Sequence, residues 1–205
     1  MRVIFLDVDG VLNNNRTRTR TSDGWMFVDG YLVARLARLV HETNATVVLS
    51  STWREDWNQE DESQNGVCFN ELRDVLSEHD IEIFDRTGAN RANRGQEIAE
   101  WLSNHEEVES FVILDDMYDM GELIDHLIQT DGGVGLTDED VNDAINVLRL
   151  SDETAEWIYE QHSDYTHYSR CSNCDCRIPL NWVDEDVYWN YCPNCGKKMY
   201  KEDKE

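Results

Sequence analysis

Short, uninterrupted apolar runs punctuate the chain, and the strongest of them end in polar residues. Val3-Ile4-Phe5-Leu6 runs into Asp7, Val47-Val48-Leu49 into Ser50, and Phe111-Val112-Ile113-Leu114 into Asp115-Asp116. Aliphatic and β-branched runs without polar alternation predict strands covered on both faces, as in a parallel sheet. Ile81-Glu82-Ile83-Phe84 predicts a fourth strand on a weaker pattern, and Leu127-Ile128-Gln129 a fifth. Between these runs the period changes. Residues 30–42 set Leu32, Leu36, Leu39 and Val40 on one stripe, and similar patterns over 97–102 and 138–148 predict further helices. Strand alternating with helix is the pattern of a doubly wound α/β fold. In such a fold ligands bind beyond the carboxyl ends of the strands. The polar endings are therefore expected to meet in one pocket.

After Leu150 the pattern breaks. Residues 151–168, rich in acids and aromatics, are expected to form a helical linker between an α/β domain over 1–150 and a cysteine-punctuated tail over 169–205. Hydrophobic residues make up 40 % of the 205, including seven Trp, which is enough to build a packed core. No apolar run approaches the length of a membrane span, and an acid arrives too early for a secretory leader. The expectation is a soluble, cytoplasmic protein with no membrane partner.

Charge narrows the choice of chemistry. The net charge is −25, and the four lysines (197, 198, 201 and 204) all lie in the last nine residues. A P-loop, a kinase-type lysine or a Schiff base is thereby excluded from the first 196 residues. An acid-rich, lysine-poor surface suits a salt-rich cytoplasm, where self-repulsion is screened, and reads either as a halophilic protein or simply as a very acidic one. The excess is unevenly spread: residues 1–54 carry +2, much of it in Arg16-Thr17-Arg18-Thr19-Arg20.

Asp7-Val8-Asp9-Gly10 places two carboxylates two residues apart at a strand end, where an extended backbone points them the same way. Like charges that close call for a cation, and oxygen ligands suit Mg²⁺. Asp115 and Asp116 supply further oxygens at another strand end. A lone D-x-D is common in solvated turns; D-x-D-G after one buried strand with D-D after another is much rarer.

With these motifs in order, residues 1 to about 150 resemble a phosphatase of the haloacid dehalogenase (HAD) superfamily. FLDVDGVLN resembles its first motif, VVLSS the second with Ser50, Arg94 before GQEIAEWL the third, and ILDD the fourth. Arg91 and Arg86 are alternatives for the third. SSTWR and the later GLT are similar to a HAD subgroup associated with nucleic-acid end repair. The resemblance implies that Asp7 attacks phosphorus and forms an aspartyl-phosphate, while Asp9 protonates the leaving oxygen and then deprotonates water. It implies Mg²⁺ on Asp7, the Asp9 carbonyl and Asp115 or Asp116, with Ser50 and Arg94 on the phosphoryl oxygens. Arg54 is a candidate second phosphate ligand. Only 40 residues separate Asp9 from Ser50, and 43 separate Ser50 from Arg94, which leaves no room for a large cap domain. The Arg16, Arg18 and Arg20 tract falls where a flap over the site is expected; it reads equally as a solvated loop or as a set of phosphate donors.

The substrate implied is a phosphorylated nucleic-acid end or a nucleotide. Two rival readings remain open: a nucleic-acid- or protein-binding module with secondary or lost phosphatase activity, and a small-molecule phosphatase.

Cys171-x2-Cys174, 17 residues, then Cys192-x2-Cys195-Gly196 has the spacing of a zinc ribbon. Four thiolates close the coordination of Zn²⁺, so the metal is expected to be structural, with Cys176 a competitor for Cys174. A tail this short has too little core to fold without such a staple. Elemental analysis should find one zinc per chain, and chelation under reducing conditions should unfold the tail, because binding and folding are coupled there. A metal-free tail that keeps its amide protection in hydrogen exchange would contradict the ribbon.

Overall fold

A computed structural model describes residues 1–89, 93–149, 157–163, 166–172 and 174–179. The chain divides into two compact units, Met1–Leu148 and Arg149–Glu205.

In the first unit the elements run β1 (Arg2–Leu6), α1 (Gly30–Thr43), β2 (Thr46–Leu49), α2 (Val67–Ser77), β3 (Ile83–Arg86), α3 (Arg94–Ser103), β4 (Ser110–Asp115), β5 (Leu127–Gln129) and α4 (Asp138–Arg149). The strands form one sheet in the order β3-β2-β1-β4-β5, parallel throughout. β1 is central, so Asp7 leaves the sheet between the ends of β2 and β4.

The alternation of side chains along a strand explains why the runs lack polar interruptions. Ile4, Leu6, Val47, Leu49, Val112 and Leu114 pack on one face, against the buried stripes of α1, α2 and α4. Val3, Phe5, Val48 and Ile113 pack on the other, against Ile98 and Trp101 of α3. Both faces are covered, as a parallel sheet requires.

The helix ends are set locally. The Asp29 side chain accepts from the Tyr31 N–H at 2.9 Å to start α1, and Asn44 in the left-handed region at φ 52° stops it. Asn93 caps α3 in the same way, accepting from Gln96 N–H at 2.9 Å. That cap fixes where Arg94 begins its helix.

The expected strands are all present, although β3 begins two residues later than the apolar pattern placed it. Its pairing with β2 shifts register between Val47 and Val48, so Ile81 is buried ahead of the strand and not within it. Between β1 and α1 the chain makes a turn and a short antiparallel bridge, Arg20 to Met26, and between β2 and α2 it makes 3₁₀ turns at Thr52–Asp56 and Glu62–Gln64. Neither interval holds a cap domain.

The second unit contains a sheet in the order β6 (Trp157–Ser163), β7 (Thr166–Cys171) and β8 (Arg177–Pro179), all antiparallel. This corrects the helical linker expected over 151–168: Trp157 to Ser163 and Thr166 onward are strands, and residues 151–156 and 164–165 lie outside the described ones. Trp157, Ile158 and Tyr159 favour a pleated backbone, and pairing with β7 outweighs the helical reading. β7 ends at the buried Cys171, whose N–H donates to the Cys176 carbonyl at 2.9 Å, while the Asp175 N–H donates to the Cys171 carbonyl at 3.0 Å. The turn passes through Asp175 at φ 58° and packs Cys174 and Cys176 against Cys171. Cys192 and Cys195 lie outside the described residues. Among the described residues no helix is long and apolar enough to cross a membrane.

Phe5 shows how far the first unit depends on its core. The ring is fully buried, edge-on to Trp101 at 5.3 Å and to Phe111 at 5.8 Å between centroids. Phe5→Ala should cost about 3–5 kcal/mol in urea denaturation, the usual range for emptying a site of this size; a loss below about 1 kcal/mol would mean that the sheet does not rest on this face.

Candidate active site

Parallel register sets the site. Leu6 pairs with Leu49 on one side and Leu114 on the other, so the next residues on the three strands leave the sheet together. The Asp7 N–H donates to the Leu114 carbonyl at 2.9 Å, and Ser50 and Ser51 both donate backbone N–H groups to the Leu6 carbonyl, at 2.9 and 3.2 Å. Asp7 is 5 % exposed and Asp115 not at all.

Arg94 holds these two carboxylates. Its Nη1 lies 2.6 Å from Asp7 Oδ1 and 2.5 Å from Asp115 Oδ2. Burial pushes the Asp7 carboxyl up to about 6; Arg94 pulls it down and Asp115 adds to the rise. Burial also raises Asp115, against the pull of Arg94 and of the Met117 N–H. For Arg94 burial works in the opposite sense, but the two acids outweigh it and hold the guanidinium above its ordinary value. Arg86, an alternative for the basic motif, donates instead to the Arg54 carbonyl at 2.6 Å, and Arg91 lies outside the described residues.

Asp7, Asp115 and Asp116 each offer a carboxylate oxygen within 4.8 Å of the others. Asp116 reaches this position because two glycines make way for it. A Cβ on Gly10 would lie 2.5 Å from its Oδ2 and one on Gly132 2.6 Å from it, and Gly10 adopts φ +79°, where side chains are rare.

Asp9 is exposed and is gripped at both oxygens. Asn13 Nδ2 donates to Oδ1 at 2.8 Å, and the Trp53 indole N–H donates to Oδ2 at 3.0 Å. Asn13 is itself buried and accepts from the Gly10 N–H at 3.1 Å. Trp53 sits in the 3₁₀ turn after β2 and stacks on Phe27 at 6.2 Å. Sequence reasoning passed over both contacts.

It also passed over Ser51. Ser50 is fully buried, and its hydroxyl has no hydrogen-bond partner. Ser51, one residue on, accepts from the Trp53 N–H at 3.4 Å through its hydroxyl, and its side chain helps to hold the Asp7 pKa down. The doubled serine was the signal available, but the direction of each hydroxyl depends on how the chain leaves the strand.

Arg54 is buried at 4 % exposure, and its guanidinium is already engaged. Nη2 pairs with Glu97 at 2.6 Å, while Nη1 donates to the Ser50 carbonyl. Burial lowers its pKa, against the opposing pull of Glu97. Arg54 and Arg94 line a cavity of about 350 Å³ together with Thr52, Asn93, Glu97 and Asp119. Arg16, Arg18 and Arg20 are exposed on the segment leading to α1 and make no ion pair among the described residues. Arg18 and Arg20 donate to backbone carbonyls of their own segment. The GLT stretch serves the site from behind: the Leu136 N–H donates to the Val11 carbonyl at 2.9 Å, and Thr137 caps α4 through Asp140.

Comparison with known proteins agrees with this arrangement. No curated protein matches the chain. The family described as the HAD domain in Swiss Army Knife RNA repair proteins matches residues 3–141, a span that takes in all of the parallel sheet but its first residue and every carboxylate of the site. The chain belongs to that family of HAD domains.

Proposed function

We propose that the protein is a Mg²⁺-dependent phosphomonoesterase that works through an aspartyl-phosphate, with a phosphorylated nucleic-acid end as substrate. The observation that carries the reading is the placement of Asp7, buried at the end of the central strand with Arg94 on one oxygen and Asp9 two residues away.

The donor set fits a hard divalent cation. Three carboxylates, Asp7, Asp115 and Asp116, gather at one edge, and Arg94 is the cation that contacts two of them, since Arg54 is matched by Glu97. A phosphate dianion added to that edge needs more positive charge. Asp7, Asp115 and Asp116 would hold Mg²⁺, which screens the approach of one anion to another when bound. Asp7 attacks phosphorus and the bond to the leaving oxygen breaks. Asp9 gives that oxygen a proton, then takes one from the water that cleaves the acyl-phosphate. Arg94 holds phosphoryl oxygens with its forked donors; the Ser51 side chain acts on the nucleophile, and the Ser50 hydroxyl, buried without a partner, is a further candidate donor.

The nucleic-acid half of the reading draws on the family description, which concerns RNA repair proteins, and on Arg16, Arg18 and Arg20. These side chains carry no acidic partner among the described residues and are available to phosphates. The tail is proposed to be a zinc ribbon; the turn that packs Cys171, Cys174 and Cys176 together supports it.

Asp7→Asn should leave the fold intact and lower Mg²⁺-dependent release of p-nitrophenol from p-nitrophenyl phosphate by several powers of ten. Retention of more than about a tenth of the wild-type rate would rule out the covalent route. For an oligonucleotide with a terminal 3′- or 5′-phosphate, kcat/KM should exceed that for the matching mononucleotide. Replacing Arg16, Arg18 and Arg20 together with Ala should remove most of that advantage. Equal efficiency on both substrates before and after the replacement would favour a small-molecule phosphatase.

A further inference from the structure

We infer that Trp53 is a positioning residue for the acid–base step, acting through its indole N–H on the carboxyl group of Asp9. The inference rests on the aspartyl-phosphate reading above and specifies how that site controls its proton.

Asp9 is the one member of the carboxylate group that is exposed and reaches neither Arg94 nor a neighbouring acid, so nothing in the cluster fixes its rotation. A proton donor that turns freely in water spends little time aimed at the leaving oxygen, and orientation accounts for much of what such a group contributes. Two contacts supply the orientation. Asn13 Nδ2 meets one oxygen at 2.8 Å and the Trp53 indole N–H meets the other at 3.0 Å.

Both partners are donors and stay donors. An indole N–H has no acceptor lone pair. The amide of Asn13 is oriented by the Gly10 N–H, which takes its oxygen and leaves the NH₂ group facing Asp9. Neither partner can draw the proton away by accepting it. With one donor on each oxygen, the carboxyl plane is held while either oxygen remains free to bear the proton on its other side.

Trp53 is held firmly enough for this role. It is 9 % exposed, it stacks on Phe27, and its position is set by the turn that Ser51 caps directly after β2. Loss of Asp9 would leave an indole N–H without a partner in a mostly buried place, which proteins avoid. The contact therefore ties the loop after β2 to the loop after β1, across the mouth of the site.

The chemistry shows how to separate positioning from mere packing. In the first step a bond forms between an Asp7 oxygen and phosphorus, and the bond from phosphorus to the leaving oxygen breaks. That oxygen keeps the electron pair and takes the Asp9 proton. p-Nitrophenolate leaves readily without a proton, whereas the alkoxide of a nucleotide sugar does not. Help from Asp9 is worth far more to the second substrate, and kcat/KM reports this step alone when departure of the leaving group is irreversible.

Trp53→Phe keeps an aromatic ring against Phe27 and deletes the donor. It should lower kcat/KM for a nucleoside monophosphate by about 10–100-fold, the usual effect of removing a group that orients a reacting one, and for p-nitrophenyl phosphate by no more than about threefold. On an Asp9→Asn background the same replacement should change neither value by more than about twofold, because the residue through which it acts is already disabled. Equal losses on both substrates, no loss on either, or a full additional loss on the Asp9→Asn background would each overturn the inference. Failure of the underlying reading looks different: the wild-type protein would then hydrolyse neither substrate, or Asp7→Asn would retain its activity.

Discussion

Two carboxylates cannot be buried side by side without a cation, and the rest of this molecule is arranged around that requirement. Asp7 and Asp115 leave adjacent parallel strands at the same level, both withdrawn from water, and a single nitrogen of Arg94 lies within 2.6 Å of each. Without that guanidinium, desolvation and mutual repulsion would push the pKa values of both acids higher still. The helix that carries Arg94 must therefore dock closely. Gly95 permits it, since a Cβ there would sit 2.3 Å from the Met120 carbonyl oxygen.

A second buried ion pair supports the first. Arg54 and Glu97 join the turn after β2 to the first turn of α3, with side chains at most 5 % exposed. An ion pair at this depth is costly to break from one side only, because the remaining charge stays uncompensated. It spans the wall of the cavity beside Arg94, so the two arginines do different work: one faces the carboxylates, the other locks the elements that frame them.

How much of this could be read from the sequence follows from how local each feature is. The strand-end acids Asp7, Asp115 and Asp116 were legible because a run of apolar residues that stops at an acid fixes both the strand and the end at which the acid emerges. The helix α2 was not, although Phe69, Leu72 and Leu76 are buried on one stripe: it opens on Gly66 with no side-chain cap and no acid in its first turn. The strand β6 reads as helix in the sequence because the acids around it suggest a solvated linker, whereas its pairing with β7 cannot be seen from either segment alone. Arg54 looked like a free phosphate ligand; its partner Glu97 lies 43 residues away in sequence. The grip of Trp53 on Asp9 depends on how a 3₁₀ turn leaves a neighbouring strand, and no residue spacing encodes that.

The position of β1 has a consequence for how the molecule assembles. The first strand of the chain is the central one, and its partner on one side, β4, lies more than a hundred residues downstream, with Arg2 opposite Ser110. During synthesis β1, α1 and β2 can close into a local unit early, but the other edge of β1 stays open until β4 has emerged. Contacts between such distant segments carry a high loop-closure cost and form slowly. Asp7 lies on that open edge, so its full burial must wait for β4. The reactive centre is complete only once segments more than a hundred residues apart have met.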